Sequence, residues 1–369
     1  MKIIMIASKT SIFIKFRLDL VKQIINKGHE VVVISPEDDT SGQLENLGVK
    51  LIKLSLNKTS LFIFSNLNYF LKLIKILKKE KPDKVFSYNI KPVIFGSLAG
   101  KFAKVPEIYS MITGLGYIYS ENTFKFKILQ YICGVGYKKA FKYSNKVIFQ
   151  NNDDVYEFAK KRKYLDISKC ELVNGSGVNM EEFPKCALPT ETSFLMVSRM
   201  LSLKGIKEYF EAAKLVKTKY PDVKFVFVGS TDNSPLSVNV KEIYNDYVSS
   251  GIIEYYKNSN KVKDFLEECS VFVLPSYYRE GIPRALLEAL AVGRPIITTN
   301  SIGCKEAIND NKNGFLVSIK DAKNLAEKMI YFIENPNQIS IMAEESYNYC
   351  KSKFDVNIIN NEMLKILNI

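Results

Sequence analysis

The stretch VFVLPSYYREGIPRALLEALAVGRPIITTN, residues 271–300, reads as strand, turn, helix and strand in direct succession. VFVL and PIITT are short apolar runs rich in β-branched residues. Between them, RALLEALAVG places Leu286, Leu287 and Leu290 at helical spacing. Pro283 suits the first turn of a helix, where a missing N–H is harmless, and Gly293 suits its C-terminal cap. Two buried strands joined by such a helix run parallel, in a sheet covered on both faces.

Working outward, the same alternation fills the chain. KIIMIAS, EVVVISP, KLIKLSL, KVFSYN, EIYSMIT and KVIFQN read as strands in the first half, separated by helices such as RLDLVKQIINKG, closed by Gly28. A connector, PKCALPTET (184–192), interrupts the pattern. It restarts with TSFLMVSR, VKFVFVGS, GIIEYYK, VFVLPSYY, PIITTN and GFLVS. The expectation is an α/β chain of two doubly wound, Rossmann-like domains, residues 1–184 and 185–345, facing an interdomain cleft at the carboxyl ends of their strands. A helical segment, 346–369, is expected to pack back on the first domain.

The chain has 369 residues, which suits two cores better than one. No apolar run approaches the ~18 residues of a membrane span. The opening MKIIMIASKTSIFIKFRLDL is broken by Lys9, Lys15 and Arg17 and reads as a first strand, not a signal peptide. Six cysteines without a C-x-x-C pair fit free thiols in a reducing cytoplasm. The single histidine, His29, excludes a histidine-rich metal site, and its place in the turn KGHEV reads as structural.

The net charge of +13 is uneven. Residues 51–150 hold 17 Lys+Arg against 4 Asp+Glu, while residues 186–369 hold 22 against 22. Such an excess points to an anionic partner, although a lysine-favouring genome would also raise it. SLFIFSNLNYFLKLIKILKKEKPDK (60–84) and NTFKFKILQYICGVGYKKAFKYSNK (122–146) mix apolar residues with clustered lysines. Helices lying on an anionic membrane surface and core-packed helices with solvated lysines both fit. No nucleic-acid-binding motif accompanies the charge, so no nucleic acid is expected.

The strand VFVLPS ends at Ser276, so its following loop lies at the sheet's carboxyl edge. It delivers Glu280 beside a helix N-terminus, where free N–H groups and the positive dipole end attract phosphate. Eight helical residues rise about 12 Å, which would separate Glu280 from Glu288 by roughly the span between the sugar and the ribose of a nucleotide diphosphate sugar. Upstream, LMVSRMLSLKGI ends a strand with Arg199 and offers Lys204. Two such cations can meet the negative charge growing on a departing diphosphate. The chain has no Asp-x-Asp triplet, so this stabilisation is expected without a bound metal.

VFVLPSYYREGIPRALLEALAVGRPIITTNSIGCKEAI (271–308), NGSGVNMEEF (174–183), SRMLSLKG (198–205) and KGHEVVVISP (27–36) together resemble family 4 retaining glycosyltransferases of the GT-B fold. The likeness covers essentially the whole chain. It implies that Glu280 contacts the donor sugar, Glu288 the ribose, Arg199 and Lys204 the diphosphate, and the amides of Gly281 and Ile282 the distal phosphate. Pro283 and Val262 complete the donor-binding set. It further implies front-face displacement with no enzyme nucleophile and no cofactor beyond the nucleotide sugar. With ITGLGYIY (112–119) included, the chain looks most like transferases extending undecaprenyl-diphosphate-linked glycans in capsule, O-antigen or glycoprotein assembly. The expected reaction moves a hexose or N-acetylhexosamine, UDP-linked, to a lipid-diphosphate-linked glycan at the inner face of the cell membrane.

On the acceptor side, Thr113, Gly114 and Gly116 follow the fifth strand, where glycines let backbone come close to a ligand; a plain strand-to-helix turn is the other reading. Many relatives carry a glycine pair after the first strand. This chain has ASKTSIFIKF there, with Lys9, Thr10 and Ser11 as donors to an acceptor phosphate. A nucleotide-sugar epimerase or phosphorylase of the same fold, and a non-catalytic basic membrane-binding module, are the alternatives.

Overall fold

The structure, a computed structural model, describes residues 1–56, 66–120, 123–230, 237–238, 244–257, 259 and 261–369. The chain divides into unit 1, Met1–Ser176 with Asn357–Ile369, and unit 2, Gly177–Val356. The division thus falls eight residues ahead of the expected 184/185.

Unit 1 holds a seven-stranded parallel sheet: β1 (Lys2–Ile6), β2 (Glu30–Ser35), β3 (Lys50–Lys53), β4 (Lys84–Tyr88), β5 (Glu107–Met111), β6 (Lys146–Phe149) and β7 (Cys170–Leu172), in the order β3-β2-β1-β4-β5-β6-β7. Its helices are α1 (Ser11–Asn26), α2 (Ser41–Glu45), α3 (Leu67–Glu80), α4 (Ile90–Ala103), α5 (Gly116–Ser120), α6 (Phe124–Tyr143) and α7 (Asn152–Val155). The pleat sorts side chains to two cores. Ile3 and Met5 meet Phe13, Leu20 and Val21 of α1, while Ile4 and Ile6 meet Leu73 and Leu77 of α3 and Ala99 of α4. β7 escapes sequence reading because it is a three-residue edge strand with no buried residue.

Unit 2 has six parallel strands: β8 (Ser193–Val197), β9 (Lys224–Gly229), β10 (Glu254–Lys257), β11 (Val271–Leu274), β12 (Ile296–Thr299) and β13 (Gly314–Val317), ordered β10-β9-β8-β11-β12-β13. Every residue of β11 and β12 is buried, as central strands of a covered parallel sheet must be. The helices are α8 (Ile206–Lys217), α9 (Val262–Glu268), α10 (Arg284–Ala291), α11 (Ala322–Glu334) and α12 (Pro336–Lys353). Residues 346–353, expected with the tail, complete α12. From Asn357 onward α13 (Val356–Ile366) belongs to unit 1, where Ile359, Met363 and Leu364 join the core beneath α1.

Of the two lysine-rich segments, residues 60–65 and 122 lie outside the described residues. α3 buries Tyr69, Leu73 and Leu77 and turns Lys72, Lys75, Lys78 and Lys79 to solvent. Among the described residues, no helix is long and apolar enough to cross a membrane.

Candidate functional site

At the carboxyl edge of unit 2, β11 passes through Pro275 and Ser276 into the loop that leads to α10. Ser276 has no exposed surface and anchors this loop. Its carbonyl accepts the hydroxyls of Thr299 and Ser301, the latter at 2.7 Å, and its own hydroxyl reaches Glu280 Oε1 at 3.4 Å. The amide of Tyr277 donates to the Leu203 carbonyl at 2.9 Å, tying the loop to the turn after β8. Two glycines permit this closeness. Gly205, at φ +78°, would bring a Cβ to 2.1 Å from the Pro275 carbonyl oxygen, and Gly303, at φ +87°, to 2.1 Å from that of Gly281.

Lys204, on the turn held against Pro275, forms an ion pair with Glu280; their side chains are 9% and 20% exposed. Its ammonium also lies 5.4 Å from the centre of the Tyr278 ring. A carboxylate and an aromatic face together offset the loss of water around a buried cation. The expectation had assigned Glu280 and Lys204 to separate parts of a ligand. In the structure they meet each other.

α10 begins at Arg284, and Pro283 is its N-cap with extended backbone (φ −62°, ψ 122°). The figure of about 12 Å between Glu280 and Glu288 assumed helix throughout, whereas residues 280–283 are not helical. Glu288 accepts from Arg284 Nε at 2.8 Å, one turn away. Pro283 makes no side-chain cap to α10, and the first turn of the helix holds no acid. The positive end of the helix dipole there favours a negative charge. Gly281 and Ile282 are buried just ahead of it. Arg199 is exposed beyond the end of β8, and Val262 opens α9, half-buried against the unit 2 core. Glu208, in the first turn of α8, was not foreseen; burial raises its pKa, opposed in part by hydrogen bonds including one with Tyr277.

In unit 1, Gly114 (φ +96°) and Gly116 (φ +64°) both need the left-handed backbone that favours glycine. Thr113 beside them is half-buried, and Lys9 is exposed. The Ser11 amide donates to Asp38 Oδ2 at 2.9 Å. Thr10 is a correction: it has no exposed surface, and its hydroxyl meets Ser35 Oγ at 2.7 Å and the Pro36 carbonyl at 2.8 Å. Lys91, in the first turn of α4, was hidden among many lysines. It is half-buried, and burial pulls its pKa down. His29 sits before β2, at the opposite sheet edge, with Nδ1 3.4 Å from the Met1 amino group.

Among the described residues, no three His, Cys, Asp or Glu side chains gather as a metal site. The groups that do gather, a helix N-terminus without an acidic first turn and the largely buried Lys204, are suited to stabilising negative charge on a leaving group.

Residues 2–151 match the family described as Glycosyl transferase 4-like, and residues 179–349 match Glycosyl transferases group 1. The chain is 30% identical over 365 residues to the N,N'-diacetylbacillosaminyl-diphospho-undecaprenol alpha-1,3-N-acetylgalactosaminyltransferase of Campylobacter jejuni, covering 95% of this chain and 94% of that one. The chain belongs to the retaining GT-B glycosyltransferases of family 4. The transferase is also 26% identical over 309 residues to the UDP-Gal:alpha-D-GlcNAc-diphosphoundecaprenol alpha-1,3-galactosyltransferase of Escherichia coli, covering 80% of this chain and 77% of that one. Its fold matches that of Anabaena HepE, solved in complex with UDP, with a TM-score of 0.80, 16% identity and complete coverage of both chains. At that identity the match speaks for the fold alone.

Proposed function

We propose that the transferase moves galactose or N-acetylgalactosamine from its UDP derivative to a saccharide carried on undecaprenyl diphosphate, forming an α-1,3 linkage. The two curated relatives support this choice, since both are named for α-1,3 transfer of a galacto-configured sugar to a diphospho-undecaprenol acceptor. The observation that carries the donor side is the N-terminus of α10, with no acid in its first turn, reached by the loop that holds the Lys204–Glu280 pair.

In this reading the donor diphosphate lies over α10, meeting the amides of Gly281 and Ile282 and the Arg199 guanidinium. Glu280 accepts a hydroxyl of the donor sugar while holding Lys204 toward the diphosphate, and Glu288 takes the ribose. As the bond from the anomeric carbon to the phosphate oxygen breaks, the leaving oxygen gains charge beside fixed cations and helix amides. The acceptor hydroxyl attacks from the same face and gives its proton to the departing phosphate, so configuration is retained. No metal takes part, and activity should persist in EDTA.

α6 supports a membrane-facing role for unit 1. Phe124, Ile128, Tyr131 and Val135 are exposed at spacings of four, three and four residues, which places them on one stripe. Lys125, Lys127, Lys138, Lys139 and Lys142 are exposed around them, and the helix has no acidic residue. Apolar contact with basic flanks fits the inner, anionic surface of a bilayer.

The test is incubation with UDP-Gal, UDP-GalNAc, UDP-Glc and UDP-GlcNAc, with and without an undecaprenyl-diphosphate-linked N-acetylhexosamine. UDP release and an extended lipid should require a galacto-configured donor and the acceptor. Conversion of the donor to another nucleotide sugar without acceptor would replace this reading with an epimerase. No UDP release from any combination would end it.

A further inference from the structure

Between β4 and α4, Asn89 has φ +69° and ψ 165°, a region almost reserved for glycine, where other residues are strained. It is the N-cap of α4, a position at which asparagine is favoured for its capping side chain, yet it makes no capping hydrogen bond. The side chain turns to two neighbouring loops instead. Its Oδ1 accepts from Ser8 Oγ at 3.1 Å, and its Nδ2 donates to Thr113 Oγ1 at 3.4 Å. Ser8 follows β1 and Thr113 follows β5, the two strands flanking β4 in the sheet. The asparagine thus accepts a strained backbone and forgoes its cap to join both loops at the carboxyl edge.

Stability is a poor explanation of this arrangement. All three residues are half-buried, and bonds between neutral groups that water can reach contribute little net free energy. Strain of this kind persists where the surroundings enforce it, and it clusters at ligand sites. The loops it joins carry Lys9, Ser11, Thr113 and the two left-handed glycines, Gly114 and Gly116.

We propose that Asn89 is a positioning residue for the acceptor, fixing the loops after β1 and β5 at one spacing for the phosphate-bearing end of the lipid-linked saccharide. This rests on the acceptor reading given under Proposed function.

Asn89→Gly tests it, because glycine accepts the backbone without strain and removes both bonds. The acceptor KM should rise about tenfold, the loss expected for one or two broken hydrogen bonds. The donor KM should stay at the wild-type value, and Tm should be equal or higher. Ser8→Ala removes the Ser8 bond and keeps the Thr113 bond, so its acceptor KM should fall between the two. An unchanged acceptor KM in Asn89→Gly, with lipid transfer intact, overturns the assignment of Asn89 alone. A lower Tm with donor and acceptor KM moving together overturns it in favour of a structural role. A wild-type enzyme that transfers nothing to the lipid acceptor overturns the acceptor reading and this assignment with it.

Discussion

Lys204 and Glu280 are 76 residues apart in sequence and form an ion pair because the turns after β8 and β11 leave adjacent strand ends. The contact depends on close backbone approach at Gly205 and Gly303. Its two members are also the carboxylate and the cation that the proposed chemistry places at the helix end.

Glu280→Gln should therefore lose two things together. Transfer should fall by about a hundredfold or more, as expected when a group acting at the developing charge is removed. Stability should fall by about 1–3 kcal/mol, because Lys204 is left in a largely buried site without its carboxylate. Adding Lys204→Met should recover part of the stability and none of the activity. Denaturant melts and UDP release measure the two effects, and purely additive stability losses would show that the pair is not coupled.

Gly303→Ala puts a methyl group 2.1 Å from the Gly281 carbonyl oxygen at a positive φ. The loop carrying Glu280 must shift, at a cost of about 2 kcal/mol. The thermal stabilisation given by UDP should shrink as well, because the loop and the end of α10 no longer meet an anion together. A variant with wild-type Tm and a wild-type UDP response would show that the contact is slack.

Glu80 at the end of α3 accepts hydrogen bonds from Lys50 at 2.7 Å and Lys2 at 3.3 Å, joining the starts of β3 and β1. The bond from Lys50, helped by that from Lys2 and opposed by desolvation, holds its pKa below the usual carboxylate range. A folded pKa below the unfolded one adds stability that is full above the unfolded pKa and lost as pH falls through the folded value. Glu80→Gln should cost about 1 kcal/mol near pH 7, and the gap to wild type should narrow as the medium is acidified below about pH 5. A gap that stays constant or widens in acid contradicts the ion-pair account.

The α6 surface separates into two measurable parts. Replacing Phe124 and Tyr131 with serine should weaken binding to all vesicles, since both rings are largely exposed. Replacing Lys138, Lys139 and Lys142 with glutamine should remove the preference for phosphatidylglycerol vesicles over neutral ones. At about 1 kcal/mol per lysine near an anionic surface, the triple change weakens binding by about a hundredfold at low salt. Flotation with both vesicle types reads each effect, and full retention of binding by both variants would leave α6 without a membrane role.

The twelve strand runs named from sequence each contain an observed strand. Buried parallel strands demand continuous apolar runs, and this signal lies within a few adjacent residues. The helix after EGIP was equally legible, although its start was placed one residue early and its length was carried back over a loop. Thr10 and Ser11 are neighbours in sequence, yet only the fold shows that Thr10 is turned inward to Ser35 and Pro36. Nothing local distinguished Asn89 from any other residue before a helix, because its strain and its two partners belong to the sheet.

By itself the sequence determined the βα alternation, the division into two parallel sheets and the chemical types gathered near Glu280, since these follow from the burial and propensity of short segments. Only the tertiary structure decided which groups distant in sequence meet: Lys204 with Glu280, and Asn89 with Ser8 and Thr113. The order of strands in a sheet is fixed by how whole crossovers pack, and that order determines which loops emerge side by side.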